Sequence, residues 1–217
     1  MHQRPIAIIP MKKIVNNWYN ISVYLAGLFA LLAVLLPVGI VSKLLLLSCA
    51  ILALHFFEEF GWPGGFPYMG VKILLGSDEK DSTKWDCSNL NCMFGNWLAL
   101  ILIYLMPLML PSVRFLTMCA MLFNFAELLM HLVLFNVRLK KFYNPGMVTA
   151  VFGLAPISCY YFLTVYDASV FVWYDYVIAV VYFLIVFWFC FRSPLYWKIG
   201  RKPGYPLTEQ SAFGYMK

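Results

Sequence analysis

Long stretches of sequence with almost no charge constrain this chain more than any other feature. Six occur, at about 19–37, 42–61, 95–111, 113–136, 146–166 and 170–191. A helix needs ~20 consecutive apolar residues to cross the hydrocarbon core of a bilayer, and each run is of that order. In lipid every backbone polar group must be satisfied within the segment, so runs of this length are helices. Composition agrees: 63% of the 217 residues are apolar and 12% are charged, against ~45–50% and ~25% in soluble domains. The expectation is an all-α, polytopic membrane protein of about six transmembrane helices. Disordered, collagen-like and disulfide-rich secreted architectures are excluded.

Between the runs lie polar connectors. Residues 62–94 hold Asp78, Glu79, Asp81 and Asp86 among three lysines, which places this segment in water or at the interface. The expected division is an N-terminal segment 1–18, a six-helix domain 19–192 and a basic tail 193–217. Pro107 and Pro111 are expected to end the third helix, and Tyr143-Asn144-Pro145-Gly146 to open the fifth. A net charge of +6 would suggest nucleic acid in a soluble protein, but here the basic residues report topology. With six crossings, fourteen of the sixteen Lys and Arg fall on the side of the termini, and Lys43 and Arg114 fall opposite. By the positive-inside rule both termini are cytoplasmic, in a bacterial inner membrane or an endoplasmic reticulum. Arg138, Lys140 and Lys141 would suit anionic lipid headgroups. No cleavable signal is read at the N-terminus. Cys87 and Cys92, with four residues between them, lack metal-type spacing and are read as structurally incidental.

Few ionisable groups lie inside the runs. The second carries His55, Glu58 and Glu59, and the fourth carries Asn124, Glu127 and His131. A charge at mid-bilayer costs ~2.5–3.5 kcal/mol on insertion scales, so such residues face the bundle interior and mark function. His55, Glu58 and Glu59 stand at i, i+3, i+4, and Asn124, Glu127 and His131 at i, i+3, i+7. Each set therefore occupies one helix face. Both helices run in the same direction, and each histidine lies seven residues before its helix end, on the order of 10 Å at 1.5 Å per residue. Two imidazoles, three carboxylates and an amide can thus meet at one depth in the cytoplasmic half of the bilayer. Asp175, beside Trp173, Tyr174 and Tyr176, reads as an interface residue.

Such a cluster suits a divalent metal ion (zinc, iron or manganese) held by His55, Glu58, Glu59, Glu127 and His131. A metal would neutralise carboxylates that otherwise could not all ionise so close together. Glu58, Glu59, Asn124 and Glu127 are the candidate catalytic groups, with Asn124 orienting a water or ligand. Without a metal, a Glu–His pair is a general acid/base couple. Pro145 and Asn144 start the fifth helix, whose N-terminal amides could hold a phosphate or carboxylate.

The stretch His55-Phe56-Phe57-Glu58-Glu59 resembles the signature of the HXXEE-domain membrane proteins. Two further pieces are similar to that family, Asn124-x-x-Glu127-x-x-x-His131 and Tyr143-x-Pro145-Gly146-x-x-Thr149-Ala150. The resemblance covers roughly 50–165 and implies a site of metalloenzyme type without naming a reaction. The H-x-x-H-H sets of membrane hydroxylases and desaturases are absent, as is the E-E-x-x-x-R pattern of CAAX-type membrane proteases.

Three functions stand open on these residues. One is a membrane metalloenzyme, hydrolytic in its simplest form, acting on a lipidic or isoprenoid-like substrate from the bilayer. The second is a metal-free isomerase or cyclase. The third is a transporter, proton relay or assembly subunit. Nucleic acid is not an expected partner, and the sequence leaves the oligomeric state open.

Overall fold

The computed structural model describes residues 11–217; Arg4, counted above, and the first ten residues of the expected N-terminal segment lie outside the described residues. Six helices are long and apolar enough to cross a membrane. They are α1 (Trp18–Leu35), α2 (Ile40–Phe60), α3 (Asn89–Met109), α4 (Arg114–Leu139), α5 (Met147–Val165) and α6 (Trp173–Phe191), and a short helix at Pro194–Gly200 prolongs the last. No strand occurs among the described residues.

The expected boundaries hold to within a few residues, except at α3. It starts at Asn89 rather than near 95, because Asn89 and Asn91, polar enough to read as loop, serve its N-terminus. The Ser88 backbone N–H donates to the Asn91 side chain at 2.8 Å, one half of a capping box. Cys87 and Cys92 flank that cap, their sulfurs 3.4 Å apart, in the positions of a hydrophobic staple. Pro107 does not end the helix. It is buried in the last turn, and the chain leaves the helix after Met109.

Burial distinguishes the centre of the bundle from its edge. In α2, thirteen of 21 residues are buried, whereas α6 buries only Asp175, Ala179, Val186 and Cys190 of its 19. Outward-facing Val177, Val181, Ile185 and Trp188 give α6 an apolar outer face of the kind lipid covers. Trp18 of α1 is fully buried and packs its ring 5.6 Å from Phe56 and 4.9 Å from Phe60. Aromatic pairs of this kind add ~0.5–1.5 kcal/mol beyond their buried area, and these two fix the end of α2 that carries His55. Within α4, a wide π-type turn at Met130–Phe135 encloses His131. Such turns concentrate at functional sites.

The connector 62–94 and the tail are more structured than their polarity suggests. A helix at Phe66–Leu74 buries Pro67, Tyr68, Met69 and Val71. The tail then folds back over it. Gly65 N–H donates to Ser211 O at 3.2 Å, Tyr215 N–H to Gly64 O at 3.1 Å and Asn89 N–H to Tyr205 O at 3.0 Å. A Cβ on Gly65, whose φ is +106°, would sit 2.4 Å from Phe213 O, so this approach requires glycine. Tyr68, Val71, Trp85 and Ala212 form a small second core, with Leu207, Phe213 and Met216 packed against it. These tail residues follow no helical or strand period, which is why the sequence reads as a flank.

Arg201 clamps Asp86 across this cap, Nε to Oδ1 at 2.9 Å and Nη2 to Oδ2 at 2.7 Å. The guanidinium's hydrogen bonds hold the Asp86 carboxyl below its ordinary range. A depressed folded-state pKa contributes stability at neutral pH that is lost as pH falls through it. Exposed pairs are worth ~0.2–1 kcal/mol, so Asp86→Asn should raise amide exchange in residues 201–213 by about two- to fivefold at pH 7. Wild type and variant should converge in acid, below the lowered Asp86 pKa. Hydrogen–deuterium exchange across that range checks both.

Candidate metal centre

The two polar helix faces meet. The rings of His55 on α2 and His131 on α4 lie 4.9 Å apart between centroids, at 90°. Both side chains are buried, and Glu59 beside them is too. His55 Nε2 stands 3.4 Å from Glu59 Oε1 and 3.6 Å from Glu127 Oε2. His131 Nε2 stands at the same 3.4 and 3.6 Å from these same two atoms. His55, Glu127 and His131 offer ligand atoms all within 4.8 Å of one another. The expected equal depth of the two histidines is therefore observed.

The proton placements follow from the surrounding hydrogen bonds. Glu58 does not point at the cluster. It accepts four hydrogen bonds from the start of α5: Tyr143 OH and Val148 N–H at 3.0 Å each, Thr149 N–H at 2.9 Å and Thr149 Oγ1 at 2.6 Å. The Thr149 hydroxyl spends its proton on this carboxylate, so towards His55 Nδ1, 2.8 Å away, it acts as acceptor. His55 Nδ1 therefore carries a proton, and Nε2 is the ring nitrogen turned to the cluster. The same logic fixes His131. Asn144 donates its amide hydrogens to His131 O and Asn136 Oδ1, both at 2.7 Å. Its Oδ1 then accepts from His131 Nδ1 at 2.7 Å, and His131 Nε2 is left buried with no hydrogen-bond partner. Metal-bound histidines are oriented in this way, their other nitrogen donating to a fixed oxygen.

Each imidazole Nε2 thus lies 3.4–3.6 Å from one oxygen of Glu59 and one of Glu127. The 3.4–3.6 Å separations exceed those of good N–H···O bonds, ~2.7–3.2 Å. They match the edge of a tetrahedron around an ion bonded at ~2.0–2.2 Å, which is roughly 3.4 Å. The donor set fits a divalent ion.

Four sequence expectations need correction. Glu58 is not among the converging ligands, since the α5 N-terminus takes its carboxylate. The α5 amides expected to hold an external anion hold Glu58 instead, the protein's own carboxylate at the positive end of a helix. Asn124 is likewise outside the cluster. It is fully buried, accepts from Tyr104 OH at 2.5 Å and donates to Ser48 at 3.2 Å and Ser158 at 3.0 Å. It locks four helices rather than a water. Asn144 and Pro145 do not cap α5 as expected. Gly146, at φ +100°, is the N-cap, and the Asn144 side chain serves His131. Sequence reasoning assigned no role to Tyr143, Asn144 and Thr149 in holding the cluster. Their signal was present in the Tyr143–Ala150 motif, whose polar residues all turn toward α2 or α4.

Residues 46–161 match the family described as proteins of unknown function with an HXXEE motif, and that stretch is more than half of the chain. The chain belongs to this family. No curated protein and no solved structure matches it. The HXXEE match contains every residue of the cluster together with Asn144, Gly146 and Thr149. Within this HXXEE chain, the first glutamate supports a histidine through Thr149 and the second lies 3.4 Å from the Nε2 atoms of both histidines.

Gly146 allows this approach. A Cβ there would lie 2.3 Å from His131 Cε1 and 2.8 Å from His55 Cε1. Gly146→Ala should therefore displace both rings and weaken metal binding by at least tenfold, the loss typical when ligand orientation is disturbed. Asn124→Ala should instead leave metal affinity unchanged while lowering stability by about 1–3 kcal/mol, from buried polar groups left unpaired. Metal titration and thermal unfolding of the two variants check this contrast.

Proposed function

We infer that this protein is a membrane-embedded, metal-dependent enzyme, hydrolytic in its simplest form, acting on a lipidic substrate. The observation that carries the reading is the meeting of the His55 and His131 Nε2 atoms with the Glu59 and Glu127 carboxylates, each contact 3.4–3.6 Å long. That point opens on a cavity of about 490 Å³, walled by side chains such as Phe60, Phe66, Leu134 and Phe187. Apolar lining with a few convergent polar groups is the usual character of a ligand site, and the apolar exterior makes a lipid the accessible substrate.

His55, Glu127 and His131 would hold the ion, a two-histidine, one-carboxylate set that leaves a position open. An ion there supplies Lewis acidity and a water acidic enough to act as nucleophile near neutral pH. Glu59, 3.4 Å from both imidazoles, is the group placed to take a proton. The Glu58–Thr149 and Asn136–Asn144 chains hold the two rings in their metal-accepting tautomers. Zinc suits this chemistry best, while iron and manganese share the ligand preference.

The competing readings find less support. A metal-free acid/base couple needs a close Glu–His hydrogen bond, and the contacts here are 3.4 Å or longer. A transport path through Asp175 would need that carboxylate to face the bundle's polar groups, whereas it accepts from Val172 N–H at the start of its own helix. With both termini cytoplasmic, as the basic residues imply, the cluster lies in the cytoplasmic half of the membrane.

Elemental analysis of purified protein tests the reading. Near one equivalent of zinc, iron or manganese is expected in wild type, and none in the His55→Ala, His131→Ala double variant. Wild type that stays empty after incubation with these metals would overturn it. Glu58→Gln should bind the metal about 10–100-fold more weakly, as removal of an outer-shell partner does, and should lower stability as well, because an amide cannot accept all four of these hydrogen bonds.

A further inference from the structure

The cavity has an opening and a charge that the metal centre does not explain. Its walls come from α4 (Ala126, Leu129, Leu134), from the Phe66–Leu74 helix with Leu75, and from the inner face of α6. Three lining residues from three elements are also exposed on the outside of the bundle: Leu129 (59%), Leu184 (56%) and Leu75 (47%). A side chain that both lines a cavity and faces outward marks a wall one residue thick or a gap. These three mark the thinnest part of the wall, where a portal between α4 and α6 would lie, on faces that lipid would cover.

Arg192 is the one Lys or Arg among the cavity-lining residues. It sits half-buried at the end of α6, and among the described residues no carboxylate lies within salt-bridge distance of its guanidinium. Arg201, Lys84 and Lys72 of the cap are paired with carboxylates, while Lys80, Lys198 and Lys202 stand exposed to solvent. Arg192 thus brings a cation without a protein counter-ion to the edge of a mostly apolar wall, where an anionic ligand would supply the partner. Arginine suits carboxylate and phosphate because it can bind them through two parallel hydrogen bonds.

We propose that the cavity binds a single-chain amphiphile with an anionic head, its hydrocarbon chain entering between α4 and α6 and its head paired with Arg192. This rests on reading the cavity as the substrate chamber of the His/Glu centre, and it specifies the substrate class. The volume is consistent: at ~30 Å³ per water-sized group, 490 Å³ takes about 16 such groups, most of one long chain and too few for two. The charge is consistent as well, since Arg192 is the one Lys or Arg on the cavity wall that can pair with an anionic head. A carboxylate head and a phosphate head share this chemistry.

The test is equilibrium binding of three fluorescent probes, a long-chain carboxylate, the matching alkyl phosphate and the matching alcohol, to full-length protein in phosphatidylcholine nanodiscs. It is run after chelation, so that metal content plays no part. Either anionic probe, or both, should bind at least tenfold more tightly than the alcohol, and which of them does so identifies the head. Arg192→Gln should weaken that binding by about tenfold or more, the cost of losing a hydrogen bond to a charged group. Arg192→Lys, which keeps the charge if glutamine harms the fold, should lose less. Leu184→Trp should slow association by narrowing the portal. Equal binding of alcohol and anions, or full affinity in Arg192→Gln, would overturn the proposal, as would no binding of either anion. Because the protein is metal-free throughout, none of these outcomes bears on whether the His/Glu centre holds a metal.

Discussion

Much of this structure depends on one buried carboxylate held at a helix end. Glu58 accepts four hydrogen bonds from the first turn of α5 and from Tyr143 just before it. Those bonds tie α5 to α2, use amides that a helix start leaves unpaired, and place a negative charge where the helix dipole favours it. They also fix the Thr149 hydroxyl as an acceptor toward His55. A structural anchor and the protonation state of a candidate ligand are therefore the same interaction. Gly146 makes it possible, since any side chain there would run into both imidazoles.

Charge balance follows from this anchoring. Glu58 is stabilised by its donors and needs no counter-ion. Glu59 and Glu127 each stand 3.4–3.6 Å from both imidazoles, longer than a good hydrogen bond. In a low-dielectric interior such a set is costly unless a positive charge is supplied, and a divalent ion supplies the amount that two carboxylates require. The apolar cavity alongside then raises the strength of every electrostatic contact at the centre by excluding water.

The six helices, their order and the meeting of His55 with His131 were legible from the sequence. Helical periodicity puts residues on faces, and an ionisable group in an apolar run has nowhere to go but inward. The division of labour between Glu58 and Glu59 was not legible. The two are adjacent, and only the position of α5 decides which turns to amides and which to imidazoles. Asn124 misled for a similar reason. It shares a stripe with Glu127 and His131, but it lies deeper, where Tyr104, Ser48 and Ser158 saturate it. The folded tail was hidden because Leu207, Phe213 and Met216 carry no period, and because its contacts are to backbone exposed by Gly64 and Gly65. Family membership agrees with the three motif pieces, and the structure shows why they belong together: each supplies part of one cluster.

X-ray absorption at the K-edge of whichever metal copurifies tests the central claim most directly, because it reads the ligands themselves. The geometry predicts a shell of nitrogen and oxygen at ~2.0–2.2 Å with the outer-shell scattering of two imidazoles, unchanged in Asn124→Ala. A shell of oxygens alone, or one containing sulfur from the cysteines, would place the ion elsewhere and contradict the account.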